Sequence, residues 1–272
     1  MIEFTQPERN ALNKLSIQWM GFAFSNALFL FGVYALLNAG DPPTGAIRWL
    51  LLAAGISNVF LWTVRRWLPL NQRIEEGGLL SSLGAGNFVT IMRGILIAAL
   101  AGFLFSPSPM GGILAWIPGI LYTLAVCADL LDGFLARRAS QRTRLGERLD
   151  LFLDGFGILF ASILLVQYGR APLWYLLVGF ARYLFLAGIW LRKRYGKPVY
   201  ELPPNQVRRP LAGIQMSFLA VALWPVFASP AIVVAAALFG FPFLANFTLD
   251  WFAVSGMILA GDFSSQQKDP ET

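Results

Sequence analysis

Residues 129–154 read DLLDGFLARRASQRTRLGERLDLFLD, and the rest of the chain is arranged around them. Four aspartates, Asp129, Asp132, Asp150 and Asp154, sit there between two long apolar runs. Ionisable groups beside a bilayer are costly to bury, so acids in such a place point first to a functional site. Their spacing lets them meet. Residues three and four apart share a helix face, which puts Asp129, Asp132, Gly133 and Ala136 along one side of a first helix and Gly146, Asp150 and Asp154 along one side of the next. The fixed positions combine to D-x2-D-G-x2-A-R-x8-G-x3-D-x3-D. Pairing with Arg137, Arg138, Arg144 or Arg148 would account for any single aspartate at a helix end. It does not account for eight fixed positions falling together in one hairpin.

Four acids held together without counter-charge repel one another and take up protons. Divalent cations relieve both problems, and carboxylate oxygens suit hard ions. A Mg²⁺ or Mn²⁺ site is therefore expected at Asp129, Asp132, Asp150 and Asp154. Gly133, Ala136 and Gly146 carry little or no side chain, which lets a bulky ligand approach the backbone. Arg137 and its basic neighbours can answer phosphate charge.

With 57% hydrophobic and 13% charged residues, too little polar surface remains for a soluble globule. The expected class is all-α, a polytopic transmembrane helical bundle. No histidine is present, which removes histidine bases and metal ligands and leaves acid–base work to carboxylates. The single Cys127 excludes an internal disulfide and a zinc–thiolate cluster, and reads as a packing residue. The net charge of +6 comes from basic residues grouped in loops, the pattern of cytoplasmic membrane loops rather than of a nucleic-acid surface.

Eight apolar runs of membrane-crossing character follow one another, at about 16–37, 47–68, 87–105, 113–132, 149–168, 173–191, 211–226 and 231–258, the last bent near Pro242. A cleaved signal peptide is the competing reading of the first, but its apolar core is longer than such peptides use. Arg9, Lys14, Arg65, Arg66 and Arg73 place the N-terminus and the 69–86 loop in the cytoplasm, and an even number of spans returns the C-terminus there. That loop, with Glu75 and Glu76, reads equally as an interfacial segment or a plain connector. The third run opens with Asn87-x2-Thr90-x2-Arg93, three polar residues on one face that serve either as helix cap and snorkelling cation or as part of a site. Arg192, Arg208 and Arg209 follow the sixth run, and Arg182 lies inside it. Loop charge bias and attraction to anionic lipid is one reading of this group, and a grip on the phosphate of a lipid or of an acceptor, open to Arg93 as well, is the other. Asp250, inside the last run, reads as a solvated helix-end acid. The organisation is a two-helix membrane extension with its loop (1–85), a membrane domain (86–260) and a polar tail (261–272).

The 129–154 signature resembles that of the CDP-alcohol phosphotransferases (CDP-alcohol phosphatidyltransferases), matched at every fixed position and both gap lengths. The resemblance implies an integral membrane enzyme that transfers a phosphoalcohol from a CDP-linked donor to an acceptor hydroxyl and releases CMP. It implies Asp129, Asp132 and Asp150 as metal ligands, with Asp154 as general base, also close to the metals. It associates Gly133, Ala136 and Arg137 with the nucleotide, and Gly146 across the hairpin is read with them. The Asn87, Thr90, Arg93 segment is similar to a P-N-x-L-T-x2-R segment of the family's nucleotide pocket, with Gly86 in place of Pro and Val89 in place of Leu. One departure is Gly155, where several members with phosphorylated acceptors carry Lys or Arg after the last aspartate. The likeness covers about 86–258, six spans. For the two added helices, packing, homodimer formation and shielding of a lipid entrance are all open roles.

The expected reaction is phosphoryl transfer on two divalent ions, with Asp154 taking the proton of a metal-acidified hydroxyl. The expected donor is CDP-diacylglycerol and the acceptor a small polar alcohol, with the site on the cytoplasmic side among membrane lipids. CDP-choline or CDP-ethanolamine with a diacylglycerol acceptor shares the signature and is the alternative. A cation transporter would explain the acids but not the glycines and alanine beside them, and a lapsed assembly protein would not keep four aspartates.

Overall fold

A computed structural model describes residues 5–39, 45–74, 77–105, 112–138, 142–227 and 229–257, with residues 113 and 133–138 described as backbone only. The turn expected at 40–43, Glu75 and Glu76, and the tail from 261 lie outside the described residues. Among the described residues eight α-helices follow in order: α1 Gln6–Ala39, α2 Ala46–Trp67, α3 Gly84–Ala101, α4 Ile117–Arg138, α5 Arg144–Gln167, α6 Leu176–Arg194, α7 Arg208–Ala222 and α8 Ser229–Ser255. Each expected apolar run forms a helix, and among the described residues pairing of extended backbone is limited to two isolated bridges. Seven of the helices are long and apolar enough to cross a membrane. The exception is α7, whose 15 residues reach only about 22 Å, short of the roughly 30 Å hydrocarbon layer. α8 runs through Pro242 without interruption.

The inner pair is α3 and α5. Their apolar windows are 61% and 56% buried, against 22% for α1, α6 and α8. The outer helices turn large apolar side chains outward, among them Phe24, Phe31, Leu184, Trp190 and Val234. A soluble protein does not leave such faces bare; lipid is their solvent.

Small residues bring the helices together. A Cβ on Gly94 of α3 would overlap the Phe60 ring of α2, and one on Gly102 would meet Trp49 at 2.7 Å. Trp49 then donates its indole N–H to the Ala99 carbonyl at 3.0 Å, satisfying a buried polar group across two helices. Within the first hairpin, the Asn26 amide donates to Ser57 Oγ at 2.9 Å. Such polar ties stabilise helix pairs in lipid, where the hydrophobic effect contributes little between apolar faces.

α5 starts where it does because Thr143 caps it, its hydroxyl accepting the Gly146 N–H at 3.0 Å. That start fixes the phase of the helix, and with it the face shared by Gly146, Asp150 and Asp154.

Gly94→Val is expected to force Phe60 out of its seat and to lower the melting temperature of the detergent-solubilised chain by about 4–10 °C, as overpacking by roughly 1–3 kcal/mol would. Phe60→Ala in the same chain should recover part of that loss. Thermal unfolding followed by tryptophan fluorescence checks both, and an unchanged Gly94→Val would contradict the contact.

Candidate active site

Three helices deliver their polar faces to one end of the bundle. α3 brings Asn87, Thr90 and Arg93, α4 brings Asp129 and Asp132, and α5 brings Gly146, Asp150 and Asp154. With the first turn of α7 they wall a cavity of about 400 Å³, lined by Asn87, Thr90, Gly146, all four aspartates and Arg209. The two acid-bearing faces read from the spacing do oppose each other.

What they close on is Arg93. Its side chain has no exposure, and its guanidinium pairs with Asp129 from α4 and Asp154 from α5, with Asp150 at 3.9 Å. The bond to Asp154 has hydrogen-bond geometry, whereas the pairing with Asp129 is one of charge alone. Three of the signature acids therefore share one internal cation. Their outer surfaces stay open, with side chains 32%, 41% and 37% exposed for Asp129, Asp150 and Asp154. Asp132 is buried instead, with Thr90 Oγ1 3.0 Å from its Oδ2. Four carboxylates against one guanidinium leave the cluster strongly acidic, and Asp150 Oδ1 is buried without a hydrogen-bond partner.

Beside the acids runs a chain of amides and hydroxyls. Asn87 donates from Nδ2 to Asn71 Oδ1 at 2.9 Å, and its own Oδ1 accepts from the Thr143 hydroxyl at 3.0 Å. Gly146 makes this possible, since a Cβ there would stand 2.6 Å from Asn87 Oδ1. The space read as room for a bulky ligand is filled by the Asn87 amide. Gly133, Ala136 and Arg137 belong to the last turns of α4, but their side chains lie outside the described residues.

The five arginines considered for a phosphate separate by location. Arg93 lies beneath the acids, and Arg209 lines the cavity. Arg182 crosses α5 at Gly155, where a Cβ would meet its Cδ at 2.9 Å, one residue beyond Asp154. Arg192 is engaged elsewhere, donating to the Pro198 and Ser255 carbonyls at 2.8 and 3.0 Å and lying over Trp251. Arg208 is held by Asp250 through two bonds of 2.8 and 2.9 Å. Asp250 is accordingly a buried ion-pair partner rather than a solvated helix-end acid. Arg142, Thr143 and Glu147 on the cavity wall, and Asn71 behind Asn87, are polar residues of the site that the sequence did not single out. Thr143 carried a signal, a residue type that caps helices standing just ahead of the α5 pattern. Asn71 carried none.

A second, apolar groove of about 700 Å³ runs between α4, α7 and α8, past Val126, Ile214, Phe218 and Phe239. It shares Asp129, Leu130, Gly213 and Met216 with the polar cavity, so the two adjoin along these residues.

The model of the CDP-alcohol phosphatidyltransferase family matches residues 84–255, from the first residue of α3 to the last of α8. A CDP-diacylglycerol–glycerol-3-phosphate 3-phosphatidyltransferase of Bacillus subtilis (strain 168) is 30% identical over 114 residues, 39% of this chain and 59% of that protein. The CMP-forming cardiolipin synthase of Homo sapiens is 32% identical over 124 residues, 39% of this chain and 41% of that one. A phosphatidylinositol phosphate synthase of Mycolicibacterium smegmatis is 31% identical over 112 residues, covering 40% and 47%. The chain thus spans less than two thirds of the length of these relatives. With acids, cavity and matched residues coinciding on α3 to α8, the chain belongs to the CDP-alcohol phosphatidyltransferase family.

Proposed function

We propose that this chain transfers a phosphatidyl group from CDP-diacylglycerol to a small polar alcohol and releases CMP. The observation that carries the reading is that the acid-lined cavity and the apolar groove adjoin at Asp129. A molecule with a charged nucleotide head and hydrocarbon tails fits both at once. The nucleotide side falls to Asn87 and Thr90, with Gly133, Ala136 and Arg137 following by family likeness.

The acids suit divalent ions. Among the described residues no three of them form a ready-made cage. Three do already converge on a cation, the Arg93 guanidinium, and the set is all hard oxygen with net negative charge and an orphaned Asp150 oxygen. Asp129, Asp132, Asp150 and Asp154 would hold two ions, Mg²⁺ or Mn²⁺. Bound there, such ions supply neutralisation of the diphosphate and acidification of the acceptor alcohol.

The chain's own groups do the rest. Asp154 accepts the proton of the acceptor hydroxyl, whose oxygen forms the new bond to the lipid-bearing phosphorus. The bond from that phosphorus to the CMP oxygen breaks, and its electron pair leaves with CMP. Thr90 holds Asp132 in place, and Arg93 ties the positions of Asp129 and Asp154 together. The Bacillus subtilis relative is a glycerol-3-phosphate 3-phosphatidyltransferase. For an acceptor of that kind, Arg209 on the cavity wall is the cation at hand, with Arg182 against Gly155, one residue beyond Asp154, as a second candidate. Gly155 leaves the space that Arg182 occupies, so a cation reaches this point from α6 in place of one on α5. The cavity is assigned to the cytoplasmic side. It lies at the same helix ends as Arg65, Arg66, Arg144, Arg148, Arg192, Lys193 and Arg194, the distribution that marks that face.

The purified full chain in detergent micelles is expected to release CMP from CDP-diacylglycerol when given a polar alcohol, glycerol 3-phosphate first in the panel. Release from CDP-choline with diacylglycerol instead would reverse which substrate is the lipid, and no release with either donor would refute the enzyme reading. Asp154→Asn should cut turnover by about 10²- to 10⁴-fold while still binding CMP. Asp129→Ala should lose the part of CMP binding that depends on added Mg²⁺ or Mn²⁺.

Arg93→Leu removes the internal counter-charge. The melting temperature should fall by about 4–10 °C, reflecting roughly 2–3 kcal/mol for partly exposed acids. Added Mg²⁺ should raise the melting temperature of this variant more than that of the unaltered chain. Equal shifts would mean that the acids do not share a cation site.

A further inference from the structure

The loop between α2 and α3 lies outside the residues matched to the family, yet its Asn71 bonds to Asn87 of the cavity wall. A short 3-10 turn, Leu68–Leu70, ends α2 and delivers Asn71, which is fully buried. The loop is fastened at several points. Leu80 N–H donates to the Asn71 carbonyl at 2.8 Å, and Gln18 of α1 accepts from Leu83 N–H at 3.0 Å. Against α5, Ile74 N–H donates to the Arg142 carbonyl at 3.2 Å and Arg144 N–H to the Gln72 carbonyl at 3.0 Å. The extension is thus pinned to the residues that open α5.

Hydrogen-bond chemistry then dictates a one-way chain. The Leu80 and Ser82 carbonyls can only accept, and both face the Asn71 side chain, at 3.2 and 2.9 Å from Nδ2. Asn71 must therefore turn its NH₂ toward them and its Oδ1 toward Asn87. Reversed, it would set an oxygen against two oxygens in a buried place, at the cost of unsatisfied polar groups. Facing that Oδ1, Asn87 must present its own NH₂ and direct its Oδ1 at Thr143. Thr143 must donate its only hydroxyl proton there and keep a lone pair for the Gly146 N–H. Two backbone carbonyls of the loop thereby set the orientation of an amide in the cavity. One N–H of Asn87 remains for a ligand.

We propose that Asn71 is a positioning residue for nucleotide binding, holding the Asn87 amide in the one orientation that offers an N–H to the nucleotide. This rests on the reading of Asn87 as a nucleotide contact. It gives the α1–α2 extension a role in the site, that of holding a loop whose polar side chain sets a family residue.

The test is a double-mutant cycle on the full chain in detergent, with CMP as probe in the presence of Mg²⁺, read by isothermal titration calorimetry alongside thermal unfolding. Asn87→Ala should weaken CMP by about tenfold, and Asn71→Leu by about fivefold to tenfold, the scale of one lost hydrogen bond. In the Asn87→Ala background, Asn71→Leu should cost nothing further. In turnover, Asn71→Leu should raise KM for the CDP donor more than it lowers kcat. If Asn87→Ala binds CMP normally, the nucleotide reading of Asn87 fails and this inference falls with it. If Asn87→Ala is impaired while Asn71→Leu binds normally, the inference alone fails. It also fails if Asn71→Leu costs the same factor in both backgrounds, which would mark a general structural effect. Should the leucine variant not fold, Asn71→Ala replaces it in the same cycle under the same criteria.

Discussion

A guanidinium with no contact to solvent is tolerable inside a membrane protein only where carboxylates meet it, because the alternative is a buried charge costing several kcal/mol. Arg93 is such a group, and its partners come from two other helices. The pairing therefore fixes more than charge. It holds α3, α4 and α5 at one relative height, since a slip of a single turn, about 5.4 Å, would carry Asp129 or Asp154 out of reach. The signature acids consequently meet at a defined level, whatever the lipid-facing helices around them do.

From that level the molecule grades from polar to apolar within a short distance. Asp129 belongs at once to the acid cavity and to the groove running down past α7 and α8. α7 is short, and its start is anchored by the Arg208–Asp250 pair, so the helix that walls both spaces is held at its polar end by a two-bond ionic clamp. A phosphatidyl donor needs this kind of boundary, with charge neutralised on one side and hydrocarbon accepted on the other.

Much of this was legible before any coordinates. Spacings of three and four residues put Asp129 with Asp132 and Asp150 with Asp154 on shared faces, and each apolar run gave a helix, although α1 begins ten residues before its run and α4 ends six residues after its own, because polar turns extend a helix beyond its apolar part. What escaped were relations between distant positions. Arg93 looks from sequence like a snorkelling cation or a phosphate ligand, because position along a helix says nothing about the acids 36 and 61 residues away. Arg208 and Asp250 were read separately, one as a phosphate candidate and one as a solvated acid, and each is explained by the other. Gly146 was read correctly as a place of close approach, but an amide from α3 makes that approach. The short α7 follows from its first two residues, both arginines, which mark the start of the helix without lengthening its apolar part.

The two-helix extension shows why family likeness and physical unity need not share a boundary. The matched residues begin at Gly84, yet Phe60 fills the hollow at Gly94, Trp49 hydrogen-bonds across to Ala99, and Asn71 bonds to Asn87. Each contact joins an added residue to a buried position of α3, the helix that also carries Arg93. A helix buried to this extent has little tolerance for displacement, because its hollows are shaped for the particular side chains that fill them. The added hairpin is thus packed into the same interior that sets the acids, and any shift of α2 along α3 is felt where Asn87, Thr90 and Arg93 meet the cavity.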